Sequence, residues 1–430
     1  MSILILGSGG REHALYWKLR SDLVHHNLGW RVLVAPGNAG IPDEDRRNVD
    51  PTNFRAVLEL CQHERVRLLV PGPEAPIIWG ISDFLTDRMP EIQVFAPSFA
   101  AARLEGSKVF CKQICQAAGV PTPPYRQTRE MDEAGSLIVE LFNKWGGVVV
   151  KANGICAGRG VKVASSIDEA VAWAHACLVE RRFGDAGEVV VLEEPLVGEE
   201  CSVTLITDGE HAVMLPPARD YKRAYNGDGG ENTGGMGANS PVPGVGAGLL
   251  TDIKENIALP ILDQMRRIGT PYRGVMYLGL MLAEGGPQVL EINCRFGDPE
   301  TQAILPRLDS SLFELIEAAC LTDGLSKVPA LIVSDSVAVG VVGAAAGYPE
   351  APDIGYEIEN LKNDVVLNGR IIFHAGTEKS DGRLYSTGGR IFSVVGLGNS
   401  FREARDRAYE RISSVASCGL WYRSDIAQGL

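Results

Sequence analysis

The N-terminal part of the chain alternates between short apolar runs and longer segments in which apolar residues recur at helical spacing. The apolar runs have the length and composition of buried strands and stand at residues 2–6, 31–35, 68–70 and 93–95. The segments between them, such as residues 12–20 and 54–62, have the pattern of amphipathic helices. This alternation predicts a parallel α/β sheet.

The pattern changes after residue 103 and again near residue 325, which predicts domains at residues 1–103, 104–325 and 326–430. The middle domain opens with a helix that Ser107 can cap and that stops at Gly119. The pattern then predicts strands at 148–151, 161–164 and 189–196. In the last domain it predicts strands at 337–342, 370–377 and 389–395, and an amphipathic helix at 401–413.

A glycine-rich turn with the sequence GSGGREH, residues 7–13, follows the first predicted strand and leads into the first predicted helix. Backbone N–H groups at such a helix start attract anions. A nicotinamide dinucleotide would require Gly or Ala at position 12, where this chain has Glu12. We therefore expect a smaller phosphorylated ligand. The loops at 35–40 and 71–76 also follow strands and are either ligand loops or rigid turns.

Lys151 ends a buried predicted strand, and a glycine-rich hairpin at 153–160 follows it. Backbone N–H groups and cations of such a hairpin can surround nucleotide phosphates, although the Gly-Lys-Ser/Thr of a Walker loop is missing. A plain β-turn is the alternative. After the next predicted strand, the backbone from Glu194 to Leu196 can contact the edge of an adenine ring, and a nearby carboxylate can bind ribose hydroxyls.

The segment GDGGENTGGMGA at residues 227–238 has so many glycines that we predict little regular structure for it. Such a loop is either disordered or ordered around a ligand. A charged cluster at 219–223 comes just before it, and this cluster favours the second interpretation.

Polar and apolar residues alternate at the end of a strand predicted from residue 289 onwards. Glu291, Asn293 and Arg295 would share one face, while their apolar neighbours, beginning with Leu290, would point into the protein. A carboxylate beside an amide oxygen suits Mg²⁺, and an arginine beyond them can bind phosphoryl or acyl-phosphate oxygens. A half-buried strand with a solvated polar face is the alternative.

Composition narrows the classes of function. The chain has 430 residues, of which 45% are hydrophobic and 22% charged, as in ordinary soluble proteins. Its net charge of −13 argues against broad binding to nucleic acid or anionic membranes. The nine cysteines are scattered without zinc-finger spacing, and no run resembles a signal peptide or a membrane span. We expect reduced thiols and a cytoplasmic location.

Several segments in order along the chain carry a resemblance to a known family. They are GSGGREHAL at 7–15, APGNAG at 35–40, GPEAP at 72–76, EGSK at 105–108, NTGGMGA at 232–238, EINCRFGDPET at 291–301 and FHAGT at 373–377. Together they resemble the ATP-grasp family and, within it, the glycinamide ribonucleotide synthetase family of purine biosynthesis. This resemblance implies an α/β ATP-grasp fold with an N-terminal parallel α/β domain, a lid subdomain around 122–195 and a β-rich C-terminal capping domain.

The resemblance implies that ATP phosphorylates the carboxylate of glycine, and that the amine of 5-phosphoribosylamine attacks the glycyl phosphate. The implied metal is Mg²⁺ or Mn²⁺, held by Glu291 and Asn293. The implied ATP-binding residues are Lys108, Lys151, Gly158, Arg159, Gly160, Glu193, Glu194, Leu196 and, at the ribose, Glu200. Substrate-binding residues would be Gly9, Gly10, Arg11, Glu12, Gly72, Glu74, Arg223 and Gly235. The catalytic residues would be Arg295, Asp220, Lys222 and Asp298. We expect small-molecule partners and a monomer or weak homodimer.

Five positions depart from the usual family motifs. In the hairpin they are Asn153, Cys156 and Arg159, and in the charged cluster they are Arg219 and Tyr221. Arg159 keeps the positive charge of the usual lysine, so we expect the phosphate contact to survive. The departures at Arg219 and Tyr221 leave open which amino acid or amine the protein joins.

These departures from the family motifs leave alternative functions to consider. An ATP-grasp ligase acting on a different amino acid or amine is the main alternative, and a nucleotide-binding regulatory protein without turnover is another. The joint presence of Glu291, Asn293 and Arg295 argues against the regulatory protein, and Glu12 argues against a dehydrogenase. For His374, on a predicted strand of the last domain, we favour a structural role over a catalytic one.

Overall fold

The computed structural model of the chain describes residues 1–156, 158–361, 368–415 and 419–430. Ala157 of the predicted hairpin and Cys418 lie outside the described residues. Within the described ranges, no helix combines the length and the apolar character needed to cross a lipid bilayer.

The N-terminal part forms a parallel sheet, as the alternating pattern predicts. Its elements are β1 (Ser2–Gly7), α1 (Gly10–His25), β2 (Arg31–Pro36), α2 (Phe54–His63), β3 (Val66–Pro71), α3 (Glu74–Ile78), α4 (Ile81–Arg88), β4 (Gln93–Val94) and α5 (Phe99–Gly106). Alternate residues of β1 belong to separate cores on its two faces, which explains its continuous apolar run. The strand order β2-β1-β3-β4 puts the carboxyl end of β1 at a crevice where such sheets bind ligands.

The next part is a small antiparallel sheet with two helices. Its elements, after α6 (Lys108–Ala117), are β5 (Tyr125–Thr128), α7 (Met131–Trp145), β6 (Val148–Ala152), β7 (Val161–Ala164), α8 (Ile167–Leu178) and β8 (Val190–Glu193). The strand order is β5-β8-β6-β7, and β6 pairs with β7 as the predicted hairpin requires. The strand predicted at 189–196 ends at Glu193, and Pro195, which has no backbone N–H to donate, follows.

A second antiparallel sheet carries the polar strand singled out from the sequence. The elements in this region are β9 (Glu199–Thr207), β10 (Ala212–Met214), β11 (Arg219–Asp220), β12 (Arg223–Tyr225), β13 (Gly229–Asn232), β14 (Gly237–Ser240), α9 (Ala247–Ile253), α10 (Leu259–Arg267), β15 (Gly274–Ala283), β16 (Gly286–Asn293), α11 (Glu300–Ile304) and α12 (Leu312–Ala319). The sheet has the order β10-β9-β15-β16, so β16 is its edge strand.

The C-terminal part is an antiparallel sheet covered by one helix. Its elements are β17 (Val337–Ala345), β18 (Arg370–His374), β19 (Thr377–Ser380), β20 (Arg383–Ser386), β21 (Arg390–Gly398), α13 (Phe401–Ser413) and β22 (Leu420–Trp421). The sheet runs β11-β14-β17-β21-β18, with β22 also paired to β17, and α13 packs against β17 and β21. The helix predicted at 401–413 is confirmed.

The prediction of little regular structure at residues 227–238 is wrong. This segment contains β13 and the start of β14, and β14 pairs with β17 of the C-terminal sheet, from Gly237 opposite Val341 to Ser240 opposite Ala338. A Cβ at Gly237 would lie 2.6 Å from the carbonyl oxygen of Gly340, so the close pairing requires glycine there. The hydrogen-bonding partner comes from a distant segment, and local composition cannot reveal it.

Buried contacts join the first and last parts of the chain. Phe373 of β18 lies in the same core cluster as residues of α1 and α12. The N–H of His374 donates to Nδ1 of His13 at 2.9 Å, and Nδ1 of His374 lies 3.1 Å from Oγ1 of Thr377. Burial lowers the pKa of His13 to about 4 and that of His374 well below its ordinary value, so both rings are neutral. This position fits the structural role predicted for His374.

Candidate active site

One cleft brings together three of the nine candidate nucleotide-binding residues and both candidate metal ligands. Its walls are α6, the hairpin between β6 and β7, and the edge strand β16, and they include Lys108, Lys112, Gly158, Gly160, Glu291 and Asn293. Ser107 caps α6 as predicted, with its Oγ accepting the N–H of Phe110 at 3.2 Å. The first turn of α6 therefore faces the cleft with a defined geometry.

The hairpin is tied directly to the start of α6. Nζ of Lys108 donates to the carbonyl oxygen of Gly154 at 3.0 Å, and Oδ1 of Asn153 accepts from the backbone of Val109 at 2.9 Å. Burial lowers the pKa of Lys108. Gly158 has a φ of +76°, and a Cβ at Gly160 would lie 2.7 Å from Sγ of Cys156, so both turns favour glycine.

A buried carboxylate, that of Glu193, lies between two lysines, of which Lys112 lines the cleft. Oε2 of Glu193 lies 2.7 Å from Nζ of Lys151 and 3.2 Å from Nζ of Lys112. Oε1 of Glu193 is buried and has no hydrogen-bond partner among the residues that the structure describes. This oxygen can accept a hydrogen bond from an exocyclic amine such as that of adenine, which fits the predicted role of Glu193.

Lys112 is absent from the sequence-based candidates. It lies one helical turn after Lys108, on the same face of α6, and only 2% of its surface is exposed. Its ammonium group also donates to Oγ1 of Thr122 at 2.7 Å. The spacing of four residues was the signal that could have identified it.

Glu291 and Asn293 place a carboxylate and an amide group on the cleft side of β16. Burial raises the pKa of Glu291, but the nearby Lys222, Lys151 and Lys108 lower it more, so the carboxylate is ionised. No cluster of three His, Cys, Asp or Glu side chains is arranged for metal binding in the described ranges. A divalent cation bound by these two residues would therefore need further oxygens from a ligand, which is how Mg²⁺ is usually held beside phosphates.

The predicted inward direction of Leu290 is wrong. Leu290 is half-buried and lines the cleft beside Glu291, whereas Ile292 and Cys294 are buried as predicted. The register of the strand pair shifts here, because Gly279 faces Glu291 while Leu280 faces Val289. This bulge leaves Leu290 without an opposite residue and turns its side chain out of the alternation.

Arg295 lies at the end of this strand between two acidic side chains. Its Nε lies 3.4 Å from Oε1 of Glu105 and 3.6 Å from Oε2 of Glu74. This Nε atom has no hydrogen-bond partner among the described residues. Burial lowers the pKa of Arg295, but these two carboxylates raise it by a larger amount, so the guanidinium stays charged. Glu105, which belongs to the EGSK segment but not to the sequence-based candidates, also accepts the N–H of Cys294 at 2.7 Å.

Asp220 and Lys222 form a second charged group next to the cleft. Nζ of Lys222 lies 2.6 Å from Oε2 of Glu200, so Glu200 is paired with this lysine in the structure. Burial raises the pKa of Asp220 well above its ordinary value, and Glu300 raises it further. Oδ1 of Asp220 is a buried acceptor without a partner in the described part of the chain.

Glu12 holds the N-terminal glycine loop in place. Its carboxylate accepts the N–H of Gly9 and Nε of Arg11, each at 2.6 Å, and only 1% of Glu12 is exposed. Arg11 also donates from Nη1 to the carbonyl oxygen of Phe296 at 3.1 Å. The residue that excluded a dinucleotide motif therefore holds Arg11 in place, and Arg11 joins this loop to the turn after β16.

We expect Gly72→Ala to destabilise the protein because its Cβ would lie 1.9 Å from Oε1 of Glu12. Glu12 is fixed by its hydrogen bonds, so relief of the clash should cost about 1–3 kcal/mol in the free energy of unfolding, measured by denaturant titration. Gly135→Ala is the matched control, because nothing lies within 4 Å of that Cβ in the middle of α7. It should be neutral or stabilising. Equal stability of the two variants would contradict the prediction.

The turn after β16 adds Asp298 to this site. Burial raises the pKa of Asp298, but Arg390 and Arg11 lower it more, and Nε2 of Gln302 donates to its Oδ1 at 2.7 Å. At Gly235, whose φ is +105°, a Cβ would lie 2.5 Å from Oδ1 of Asp220. Asp220, Gly235 and Asp298 are therefore neighbours, as their shared assignment to the substrates requires.

Comparison with known proteins agrees with this arrangement. The phosphoribosylglycinamide synthetase N domain matches residues 1–105, the ATP-grasp (A) domain of the same enzyme matches 106–301, and its C domain matches 338–429. The chain is 42% identical to a phosphoribosylamine–glycine ligase of Rhodopirellula baltica, with 99% of this chain and 97% of that protein covered. The chain belongs to the phosphoribosylglycinamide synthetase family.

A second relative and one solved structure are also phosphoribosylamine–glycine ligases, and a further solved structure shares the fold. Identity to the phosphoribosylamine–glycine ligase of Salmonella typhimurium is 41%, covering 99% of this chain and 98% of that one. The crystal structure of the ligase from Thermotoga maritima has a TM-score of 0.82 at 34% identity, covering 99% of this chain and all of that one (100%). A biotin carboxylase domain from Hydrogenobacter thermophilus, solved with MgADP, has a TM-score of 0.70 at 15% identity over 98% of this chain and 91% of that one, and so shares the ATP-grasp fold.

Two departures from the usual family motif point away from the cleft. Oη of Tyr221 donates to Oδ1 of Asn239 at 3.1 Å and accepts the N–H of Ala427 at 3.0 Å, so it contacts the C-terminal part. Arg219 pairs with Glu199 at the surface. Because side chains alternate along an extended chain, Asp220 and Lys222 face the opposite side. Tyr221 and Arg219 therefore do not share a face with Asp220 and Lys222.

Several candidate residues are not brought to the centre of the cleft. Arg223 donates to the carbonyl oxygen of Gly230 within its own hairpin, at 2.9 Å, and Arg159 is exposed on the hairpin. Glu194 and Leu196 follow β8 and are half-buried, and the N–H of Glu194 is already used by the carbonyl of Pro124 at 3.0 Å. Their ligand contacts stay predictions.

Proposed function

We propose that this chain joins glycine to 5-phosphoribosylamine while ATP is converted to ADP and phosphate, with glycyl phosphate as the intermediate and glycinamide ribonucleotide as the product. The proposal rests on one observation: the same cleft holds Lys108, the side-chain oxygens of Glu291 and Asn293 on β16, and the guanidinium of Arg295. Membership of the phosphoribosylglycinamide synthetase family supports the choice of substrates.

The cleft can neutralise a nucleotide triphosphate. Lys108 and Lys151 supply positive charge, and the backbone N–H groups of Gly158 and Gly160 lie on the hairpin above them. We assign adenine recognition to Oε1 of Glu193, the buried acceptor without a described partner. Lys112 holds the other oxygen of this carboxylate and so fixes its direction.

We assign a divalent cation, Mg²⁺ or Mn²⁺, to Glu291 and Asn293. Their carboxylate and amide oxygens suit a hard cation, and Lys222, Lys151 and Lys108 keep Glu291 ionised. When bound, such an ion neutralises phosphate charge and withdraws electron density from the transferred phosphoryl group.

Arg295 stabilises the anions through which the reaction has to pass. A carboxylate is a poor acyl donor because oxide is a poor leaving group, and phosphorylation replaces it with phosphate. Both the carboxylate and the acyl phosphate are anions, and the buried, permanently charged guanidinium of Arg295 stabilises them better than water would. Glu74 and Glu105 hold this guanidinium in place beforehand.

The second substrate enters from the N-terminal loops. Attack by its amine forms the amide bond, breaks the bond between the acyl carbon and phosphate, and releases a proton. Oδ1 of Asp220 is available to accept a hydrogen bond from an amine. The loop of Gly9 and Gly10 begins α1, where the backbone N–H groups other than that of Gly9, which Glu12 already accepts, favour an anion such as a ribose phosphate.

The function can be tested with purified protein, MgATP, glycine and freshly generated 5-phosphoribosylamine. We expect ADP release that requires both glycine and the amine, together with formation of glycinamide ribonucleotide detected by mass spectrometry. Release that persists when either is omitted would contradict the proposal. Turnover with another amino acid or amine at a higher kcat/KM would instead indicate a ligase of different specificity.

A further inference from the structure

Arg390 of the C-terminal part reaches the substrate side of the cleft, although no motif in the sequence singles it out. Nη2 of Arg390 lies 3.2 Å from Oδ2 of Asp298, and Nη1 donates to the carbonyl oxygen of Asp298 at 2.8 Å. Nη1 also donates to the carbonyl oxygen of Gly234 and, at 3.4 Å, to that of Gly235. One guanidinium therefore joins the NTGGMGA loop to the turn after β16.

The backbone around this arginine is fixed by a motif that has no other assigned role. The N–H of Gly376, in the FHAGT segment, donates to the carbonyl oxygen of Arg390 at 3.0 Å. A Cβ at Gly376 would lie 2.7 Å from Cα of Gly388, so this approach requires glycine. Oη of Tyr348 accepts the N–H of Gly234 at 2.9 Å and holds the loop from the other side.

The charge of Arg390 also matters, because it faces several carboxylates. Asp298, Asp220 and Glu300 all lie near enough to stabilise its positive charge, and although burial lowers its pKa, these groups raise it overall. Without the guanidinium, Asp298 would keep Arg11 and Asp220 would keep Lys222 as nearby cations, but each would lose one compensating charge. The carbonyl oxygens of Gly234 and Gly235 would lose their donor, so the loop would no longer be held beside Asp298.

We propose that Arg390 is a positioning residue of the ligation, which holds the Gly234–Gly235 peptides and Asp298 so that Asp220 and Lys222 face the substrates. The inference rests on the proposed function. It assigns the C-terminal part a positioning task on the amine and glycine side of the cleft, because the guanidinium of Arg390 bonds to the carbonyl oxygens of Gly234 and Gly235 and to Asp298.

The test compares Arg390→Gln and Arg390→Lys with the wild-type protein. Loss of charge-assisted hydrogen bonds should lower kcat/KM for glycine and for 5-phosphoribosylamine roughly 10- to 100-fold in Arg390→Gln. The KM for ATP should stay within about twofold. Arg390→Lys keeps the charge opposite Asp298 but cannot reach all the acceptors, so it should be intermediate.

Arg407→Gln is the matched control, because Arg407 pairs with Glu403 at 2.7 Å and donates to the carbonyl oxygen of Leu397, away from the cleft. We expect wild-type kinetics from it. Two results would overturn the proposal. One is a fall in the kinetic constants of an Arg390 variant for all three substrates together, in step with its thermal midpoint. The other is unchanged kinetics. Absence of ligation by the wild-type protein would contradict the proposed function instead, and the two failures are thus distinguishable.

Discussion

Glu291→Ala should lower kcat roughly a thousandfold while the fold stays intact. Glu291 is the ionised carboxylate of the proposed metal site, and its partner Asn293 offers only a neutral oxygen. A metal ion held by one amide would dissociate readily and would no longer neutralise the phosphates. The half-saturating Mg²⁺ concentration should therefore rise together with the fall in kcat. Both can be measured by ADP release over a Mg²⁺ titration, with circular dichroism as the check on folding.

Glu284→Ala provides the matched control for this substitution. Glu284 is an exposed carboxylate in the turn between β15 and β16, on the same pair of strands but outside the cleft. It should leave both the kcat and the Mg²⁺ dependence unchanged. Wild-type activity of Glu291→Ala at limiting Mg²⁺ would refute the assignment of Glu291 as a metal ligand.

Arg295→Lys should lower kcat roughly a hundredfold and change the KM for ATP by less than about twofold. Lysine keeps the charge, but its ammonium cannot contact Glu74 and Glu105 and still direct a second N–H group at the acyl phosphate. The interaction lost is therefore one that strengthens as charge develops on the reacting group. Steady-state kinetics with ATP, glycine and 5-phosphoribosylamine varied in turn would measure it.

Thermal unfolding should accompany these measurements, since Glu105 is buried and loses part of its pairing in Arg295→Lys. Arg273→Lys serves as the control, because Arg273 is exposed just before β15 and donates to Oγ1 of Thr322 at 3.2 Å. A raised KM for ATP with a normal kcat in Arg295→Lys would place this arginine in nucleotide binding and not in the chemistry.

Elements whose signals are local were predicted well from the sequence. The apolar runs of the N-terminal part became buried parallel strands, and the Ser107 cap and the helix at 401–413 appear where the pattern placed them. The errors occurred where a distant strand intervened. The bulge at Leu290 depends on the register with β15, and the strand at Gly237 depends on pairing with β17.

The candidate site shows the same division. Lys151, Glu291, Asn293 and Arg295 were identified from residue type and position in a strand or turn, and Lys108 from the resemblance; the structure brings all five to one region. Glu105 and Arg390 were missed because their roles depend on partners elsewhere in the chain, and Lys112 because its spacing from Lys108 was not used. Glu105 reaches Cys294 across 189 residues of sequence, and Arg390 reaches Gly234 across 156.

The sequence by itself thus determined the kinds of element in the chain, the residue types suited to phosphate and metal binding, and the resemblance to a family of ligases. Periodicity, capping and turn chemistry act over a few residues, so they can be read without a fold. The tertiary structure alone decided which carboxylate faces which cation, that Tyr221 points away from Asp220 and Lys222, and that the C-terminal sheet pairs with the end of the NTGGMGA segment as a strand. Those outcomes depend on which distant groups share a desolvated site, where an unpaired charge or backbone group is costly.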